Sequence, residues 1–337
     1  MIAPILFIVF AGAVLYAYAL YPLALVILST GKKPPAPVED PSDSTLPPVS
    51  LLIAALDEEA IIAEKIENSL RLDYPKGRLR VVVVSDGSTD RTDEIVRRYE
   101  PRGVTLFRVE PREGKSLARN RAAGAATGDV LVMSDANAMY ESDAIRIENR
   151  FHSIIGANGS IYAIRRSLYV PLPAEVDDDF LEPLQAFLGG HGVRYEPEAV
   201  SIEHDIESRN VVREFSAKRR TVLRGIQSLH YLSKVAGPFR PPALAFELVS
   251  HKILKWLVPF FLIGILAANA VLLDRPVFVA AFAIQLFLYG WAIAGIATGR
   301  RIFYIPAFFV LTNAAAFSGV IAFLAGRRSR TWRKQRE

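Results

Sequence analysis

The chain has 337 residues, 51% of them hydrophobic, and a positive mean hydropathy of +0.23, which is too apolar for a wholly soluble protein. Its 40 basic and 35 acidic side chains are too many for a pure membrane bundle, so a soluble domain anchored in a membrane accommodates both facts. No Cys is present, which excludes a disulfide framework and a thiolate metal site, and the modest net charge of +5 gathers beside apolar segments and at the C-terminus, a pattern for anionic lipid headgroups and not for nucleic acid.

Residues 1–31 carry no charge and are apolar enough to cross a bilayer, which predicts one transmembrane helix. A cleaved signal peptide is the other reading, but it begins with a positive region and has a shorter apolar core. Here the first positive charges, Lys32 and Lys33, follow the segment and mark the cytoplasmic side. Residues 32–48, rich in Pro, Ser and Asp, form a linker to a separate domain over residues 49–208.

From Val49 the rhythm is strand, helix, strand, helix. Stretches rich in apolar residues at 49–55, 80–85, 104–109 and 130–133 read as strands, and the segments 57–72, 91–99 and 115–126 read as the helices between them. This alternation predicts an α/β domain built on a doubly wound, mostly parallel sheet. The second and fourth strands both stop on a carboxylate, in Ser85-Asp86-Gly87-Ser88-Thr89-Asp90 and Ser134-Asp135-Ala136-Asn137. Those acids then share the carboxyl edge of the sheet, where open α/β sheets bind ligands.

Asp86, followed by Gly and small hydroxyl residues, suits close backbone approach to a ligand, whereas Asp90 is better read as a helix cap. Asp135 and Asn137 offer two hard oxygen donors of the kind that hold a divalent ion shared with phosphate. A solvated strand-to-turn transition is the plainer reading of the same residues.

Together with Gly156-Ala157-Asn158-Gly159-Ser160-Ile161-Tyr162-Ala163-Ile164-Arg165-Arg166 and Asp177-Asp178-Asp179-Phe180, these motifs stand in the order seen in membrane-bound family 2 glycosyltransferases. The chain resembles that family over most of its length, and the resemblance implies the GT-A fold flanked by transmembrane helices. It also implies transfer of a sugar, with inversion, from a UDP- or GDP-linked donor to a lipid-linked or polysaccharide acceptor.

By the same resemblance, Ala54, Ala55, Asp57 and Glu58 contact the base and Asp86 binds the nucleotide. Asp135, with Asn137, holds a Mg²⁺ or Mn²⁺ that bridges the diphosphate. Lys115 aids the phosphates or is simply a solvated helix residue, and Asn158 and Gly159 line the acceptor side. Asp178 or Asp179 is the catalytic base, because an acceptor hydroxyl needs a carboxylate to take its proton as it attacks. Two features depart from the family pattern. Only 18 residues separate Asn137 from Gly156, and Lys218-Arg219-Arg220-Thr221-Val222-Leu223-Arg224-Gly225 stands where a Gln-x-x-Arg-Trp signature is usual.

Residues 209–240 read as an amphipathic helix for the membrane interface, with packing on the catalytic domain as the other reading and Arg219 or Arg220 as a charge clamp for the diphosphate. Three apolar runs follow within 241–326, at 253–273, 277–298 and 302–325, and a basic tail occupies 327–337. Three crossings after a cytoplasmic domain would place that tail outside, against the tendency of Lys and Arg to stay inside. The last run, with Pro306, Asn313 and several small residues, is therefore expected to break or to lie in the interface. The resulting picture is an integral protein of the plasma membrane with a cytoplasmic catalytic domain. A catalytically silent scaffold of the same fold is the alternative.

Overall fold

Strands that are Val-, Leu- and Ile-rich at successive positions are covered on both faces. The structure, a computed structural model, describes residues 2–30, 46–137, 161–194, 211–235 and 242–329. Lys32, Lys33, most of the linker, Asn158, Gly159 and most of the basic tail lie outside the described residues. The chain divides into two units, one of helices from both ends of the sequence and one built on a sheet.

In the sheet unit, β1 (Val49–Ala55), β2 (Leu79–Asp86), β3 (Val104–Val109) and β4 (Val130–Asp135) are parallel, and β5 (Ile161–Arg165) runs antiparallel on β4, giving the order β3-β2-β1-β4-β5. Leu51, Ile53, Val81 and Val83 pack under α3 (Ile62–Leu70) and α4 (Thr92–Arg97) through Ile62, Ile66 and Val96. On the other face, Leu52, Val84, Leu131 and Met133 meet Ala118, Ala122 and Ala123 of α5 (Lys115–Ala125), whose small side chains let the helix lie close to the sheet. The doubly wound reading is correct. The order reverses between β1 and β4, and the register sets Ala54 beside both Val84 and Asp135, so Asp86 and Asp135 do share one edge at the switch point.

Two expectations about elements need correction. The helix expected from residue 57 starts only at Ile62, because residues 57–59 are drawn into hydrogen bonds with the turn after β2. Residues 161–165, read only as part of a motif, form an edge strand.

Gly128 lets β4 begin against β1. Its N–H donates to Ser50 Oγ at 3.1 Å, and a Cβ there would fall 2.5 Å from Ser50 N and 2.7 Å from Val49 C. Backbone atoms of β1 cannot yield as a flexible side chain does, so Gly128→Ala is expected to cost about 1–3 kcal/mol, the usual range for overpacking. A melting curve of the purified protein that is unchanged by the substitution would contradict this packing.

The helical unit contains α1 (Ile2–Leu15), a π-helical turn over Tyr16–Leu20, and α2 (Tyr21–Ser29) in one continuous rod. Helix α6 (Asp178–Leu188) belongs to the sheet unit, while α7 (Val211–Val235), α8 (Pro242–Glu247), α9 (Leu254–Val271), α10 (Pro276–Thr298) and α11 (Tyr304–Leu324) belong to the helical one. Among the described residues four helices are long and apolar enough to cross a membrane: Ile2–Leu28, Pro242–Val271, Pro276–Thr298 and Tyr304–Leu324.

The last apolar run is not broken as expected. Pro306 falls in the first turn of α11, where its missing N–H removes no intrahelical bond, and Asn313 donates back to Phe309 O at 2.9 Å. The apolar side of α7 packs within its own unit, with Val222 against Gly319, Gly225 against the Trp256 ring, and His230 edge-on to Phe323.

Candidate active site

At the carboxyl edge of the sheet Asp57, Asp86, Asp135 and Asp178 each find a partner. Asp57 is held in the left-handed region at φ 52°. Its carboxylate accepts from Thr89 N at 2.7 Å, and its own N–H donates to Ser88 Oγ at 3.2 Å. Glu58 N donates to Thr92 Oγ1 at 2.7 Å, and Glu59 N to Asp90 Oδ2 at 3.1 Å. The loop after β1 and the turn after β2 are thereby stitched into one surface beside Ala54 and Ala55. Asp90 also accepts from Thr92 N at 2.9 Å and so ties the turn ahead of α4, but the N-cap position expected of it falls to Arg91.

Asp86 is buried at the end of β2 and accepts from Glu113 N at 2.8 Å and Gly114 N at 2.9 Å. Gly114, at φ 101°, turns the chain into α5 and delivers Lys115 to the edge. Lys115 Nζ lies 2.8 Å from either oxygen of Asp135. One helical turn on, Arg119 Nη2 donates to Asp135 Oδ1 at 2.7 Å, while Nη1 donates to Asp178 Oδ2 at 2.6 Å. The acidic run 177–179 opens α6, with Asp178 buried and joined to the sheet edge through Arg119.

Burial, with the charges of Asp177 and Asp178 beside it, pushes the Asp179 carboxyl up to about 7, although Lys115 and Arg119 act in the opposite sense. Burial and then Asp178 also raise Glu182, one turn further along α6, well above the ordinary carboxyl range. Burial likewise raises Tyr162 on β5 and Tyr169, with help from the same carboxylates. Lys65, half-buried on α3, has its ammonium pulled down by burial against the counter-pull of Asp135.

The predicted residues Asp135, Lys115, Asp178 and Asp179 are thus brought together. Asp86 sits behind them as the anchor of the 113–114 backbone. Arg219, predicted as a diphosphate clamp, donates from Nε to Ser318 Oγ at 2.9 Å within the helical unit, and Arg220 lies on the same helix. Arg119 and Glu182 were missed by the sequence reading. The spacing of Lys115 and Arg119, four residues apart on a predicted helix, was the available signal for the first. A carboxyl buried late in a helix leaves no comparable mark.

Among the described residues no group of three or more His, Cys, Asp or Glu is placed to hold a metal ion. Asp135 offers a hard carboxylate at the end of β4, and Asn137 is exposed in the turn that follows. This set fits an ion such as Mg²⁺, which is commonly bound through one or two carboxylates with phosphate and water completing its shell. Lys115 would have to give up part of its hold on Asp135 to admit it.

Residues 50–171 match the family model described as Glycosyl transferase family 2. This domain belongs to the family 2 glycosyltransferases. The glycosyltransferase domain is 35% identical over 105 residues to the beta-monoglucosyldiacylglycerol synthase of Nostoc sp. strain PCC 7120, covering 30% of this chain and 22% of that protein. It is 36% identical over 105 residues to the probable glycosyltransferase YdaM of Bacillus subtilis strain 168, covering 30% and 25%. Against the poly-beta-1,6-N-acetyl-D-glucosamine synthase of Staphylococcus aureus strain COL the identity is 28% over 127 residues, covering 37% and 29%. The matched stretch spans about a quarter of the length of these curated relatives. Among solved structures, the mannosyltransferase PcManGT of Pyrobaculum calidifontis, in complex with GDP-Man and Mn²⁺, superposes with a TM-score of 0.73 at 22% identity, over 96% of this chain and 98% of that one. That likeness extends the expected fold, a GT-A domain flanked by apolar helices, to nearly the whole chain.

Proposed function

We propose that this chain is an inverting glycosyltransferase that moves a sugar from a nucleotide diphosphate sugar to a lipid-linked or polysaccharide acceptor at a membrane. One juxtaposition supports the reading: a guanidinium holds Asp135 on one side and Asp178, next to Asp179, on the other. Donor-side and acceptor-side carboxylates of the motif order are then neighbours at one sheet edge. The names of the relatives, a glycolipid synthase and a polysaccharide synthase among them, support the acceptor class.

Asp179, whose proton affinity lies near neutrality, is the base. It takes the proton of the acceptor hydroxyl as that oxygen bonds to the anomeric carbon from the face opposite the leaving group. The bond from the anomeric carbon to the diphosphate oxygen breaks, and its electron pair leaves on the nucleoside diphosphate. Lys115 holds positive charge where that charge develops. A divalent ion on Asp135, Mg²⁺ or Mn²⁺, supplies further charge neutralisation when bound. Asp86 and the stitched loops at Asp57 and Glu58 shape the nucleotide side.

The test is a donor screen in detergent, scored by UDP or GDP release with and without lipid-linked acceptors. Release from one donor class that rises with acceptor supports the reading, and no release from any donor rejects it. In the active preparation Asp135→Asn is expected to weaken donor binding roughly 10- to 100-fold and to blunt the response to metal, as loss of groups supporting a metal usually does. Donor and metal titrations indistinguishable from wild type would remove Asp135 from this role.

The same reading places the sheet domain in the cytoplasm, beneath the plasma membrane and beside the nucleotide sugars, with Lys32 and Lys33 facing inward. It also returns to the tail. The α7 helix carries Arg213, Lys218, Arg219, Arg220, Arg224 and Lys234, and each such charge at a bilayer centre costs roughly 2.5–3.5 kcal/mol on insertion scales. It nevertheless lies along α11: Lys218 sits over the Phe308 ring, Arg219 bonds Ser318, and Gln227 accepts from Ser329 N at 3.1 Å. A helix so paired stays where those cations reach headgroups, so α11 is expected not to make a full crossing and the tail to remain cytoplasmic. A reporter fused after Glu337 that is active only outside the cytoplasm would overturn this topology.

A further inference from the structure

Arg119 takes no part in the chemistry above, yet it is 1% exposed and carries a full charge into the domain interior. Burial works against that charge, and the carboxylates of Asp178 and Asp135 outweigh it. It belongs to one face of α5, where Ser116, Arg119 and Asn120 fall at positions i, i+3 and i+4. Ser116 Oγ donates to Val176 O at 3.3 Å. Asn120 Nδ2 donates to Leu172 O at 2.7 Å, and its Oδ1 accepts from Leu172 N at 3.1 Å and from Tyr169 OH at 2.7 Å. This polar face therefore holds the irregular connection from β5 into α6, the stretch that brings Asp178 and Asp179 to the sheet. Arg119 is the end of the clamp, since its other branch grips Asp135 on β4.

We infer that Arg119 is a positioning residue: its planar fork fixes the spacing between the donor-side carboxylate Asp135 and the turn that carries Asp178 and Asp179. The inference rests on Asp179 being the base of glycosyl transfer. Asp178 is then the handle by which that base is held. A lysine at position 119 would keep the charge but, as a single point donor, could not hold both carboxylates at a set distance.

Asp179 faces Asp177, Asp178 and Glu182 on its own segment, Lys115 and Arg119 from α5, and Tyr162 from β5. Removing the guanidinium takes away a charge that favours ionised Asp179, so the acid limb of turnover should move to higher pH.

The full-length protein in detergent is compared as wild type, Arg119→Lys, Arg119→Gln and Arg119→Gln/Asp178→Asn, using the nucleotide sugar that wild type accepts. The double variant removes both charges of the pair and so keeps the test open if Arg119→Gln alone fails to fold. Turnover per donor-binding site is expected to fall about 10²-fold in all three variants, the usual effect of a roughly 1 Å misplacement, with donor affinity within about threefold of wild type. In Arg119→Gln the acid limb should rise by about one pH unit, the lower end of what a neighbouring opposite charge does. The double variant should be no slower than Arg119→Gln, because the two residues act as a unit. Wild-type turnover in Arg119→Lys, a loss that vanishes once rates are normalised to donor-binding sites, or an Arg119→Gln limb that stays in place would each overturn the inference. If wild type itself releases no nucleotide from any donor, the transfer reading fails instead, and the two failures are distinct.

Discussion

Asp179→Asn is expected to slow transfer by about 10²- to 10⁴-fold, the usual worth of a positioned general base, while donor and metal affinities stay close to those of wild type. The amide keeps the shape of the side chain and removes only its ability to take a proton, so the loss should appear in turnover alone. In wild type the rate should rise with pH through about 7, because the carboxyl must be ionised to act and burial beside Asp177 and Asp178 holds its proton to that pH. The stability consequence has the opposite sign. An unfolded Asp ionises near pH 4, so between about pH 4 and 7 the folded state binds the extra proton and folding weakens as pH rises. A pH–rate profile that is flat across this range, or an Asn variant with normal turnover, would remove Asp179 from the base role.

Asp178→Ala is expected to act on the fold before it acts on the chemistry. The carboxylate is buried and accepts from Arg119 at 2.6 Å, so its removal leaves one branch of a buried guanidinium without its partner. Breaking a buried pair from one side costs about 3–5 kcal/mol, and the surviving contact to Asp135 favours the lower end. For a unit of this size that corresponds to a fall of roughly 6–12 °C in melting temperature. Scanning fluorimetry in detergent measures it directly, and a shift under about 2 °C would mean that Asp178 is solvated and the pair contributes little. The contrast with Asp179→Asn separates two adjacent aspartates that the sequence leaves equivalent.

How much of this was legible differs from element to element. The three inner parallel strands were readable because strands covered on both faces are rich in successive apolar residues, and Asp86 and Asp135 could be placed at one edge because both close such stretches; β3, with Thr105 and Arg108, is an edge strand that was read from its place in the strand–helix alternation. The late start of α3 was not readable: residues 57–61 have helical composition, but Asp57, Glu58 and Glu59 bond across to Ser88, Thr89, Asp90 and Thr92 instead. An acidic run such as 177–179 is ordinarily solvated, and only its contact with α5 makes it a buried helix start.

The amino-acid order by itself determined the class of this protein: a parallel α/β domain with acids at one sheet edge, set among apolar helices. Those features follow from local periodicity and from where apolar runs stop, which are properties of the chain read a few residues at a time. The tertiary structure decided which acids share a partner. Arg119 lies 16 residues from Asp135 and 59 from Asp178, and nothing in either neighbourhood specifies that one guanidinium will serve both. That pairing arises only when α5 lies against the sheet and α6 closes over its edge, because an ion pair in a low-dielectric interior is set by distance in space and not by distance along the chain.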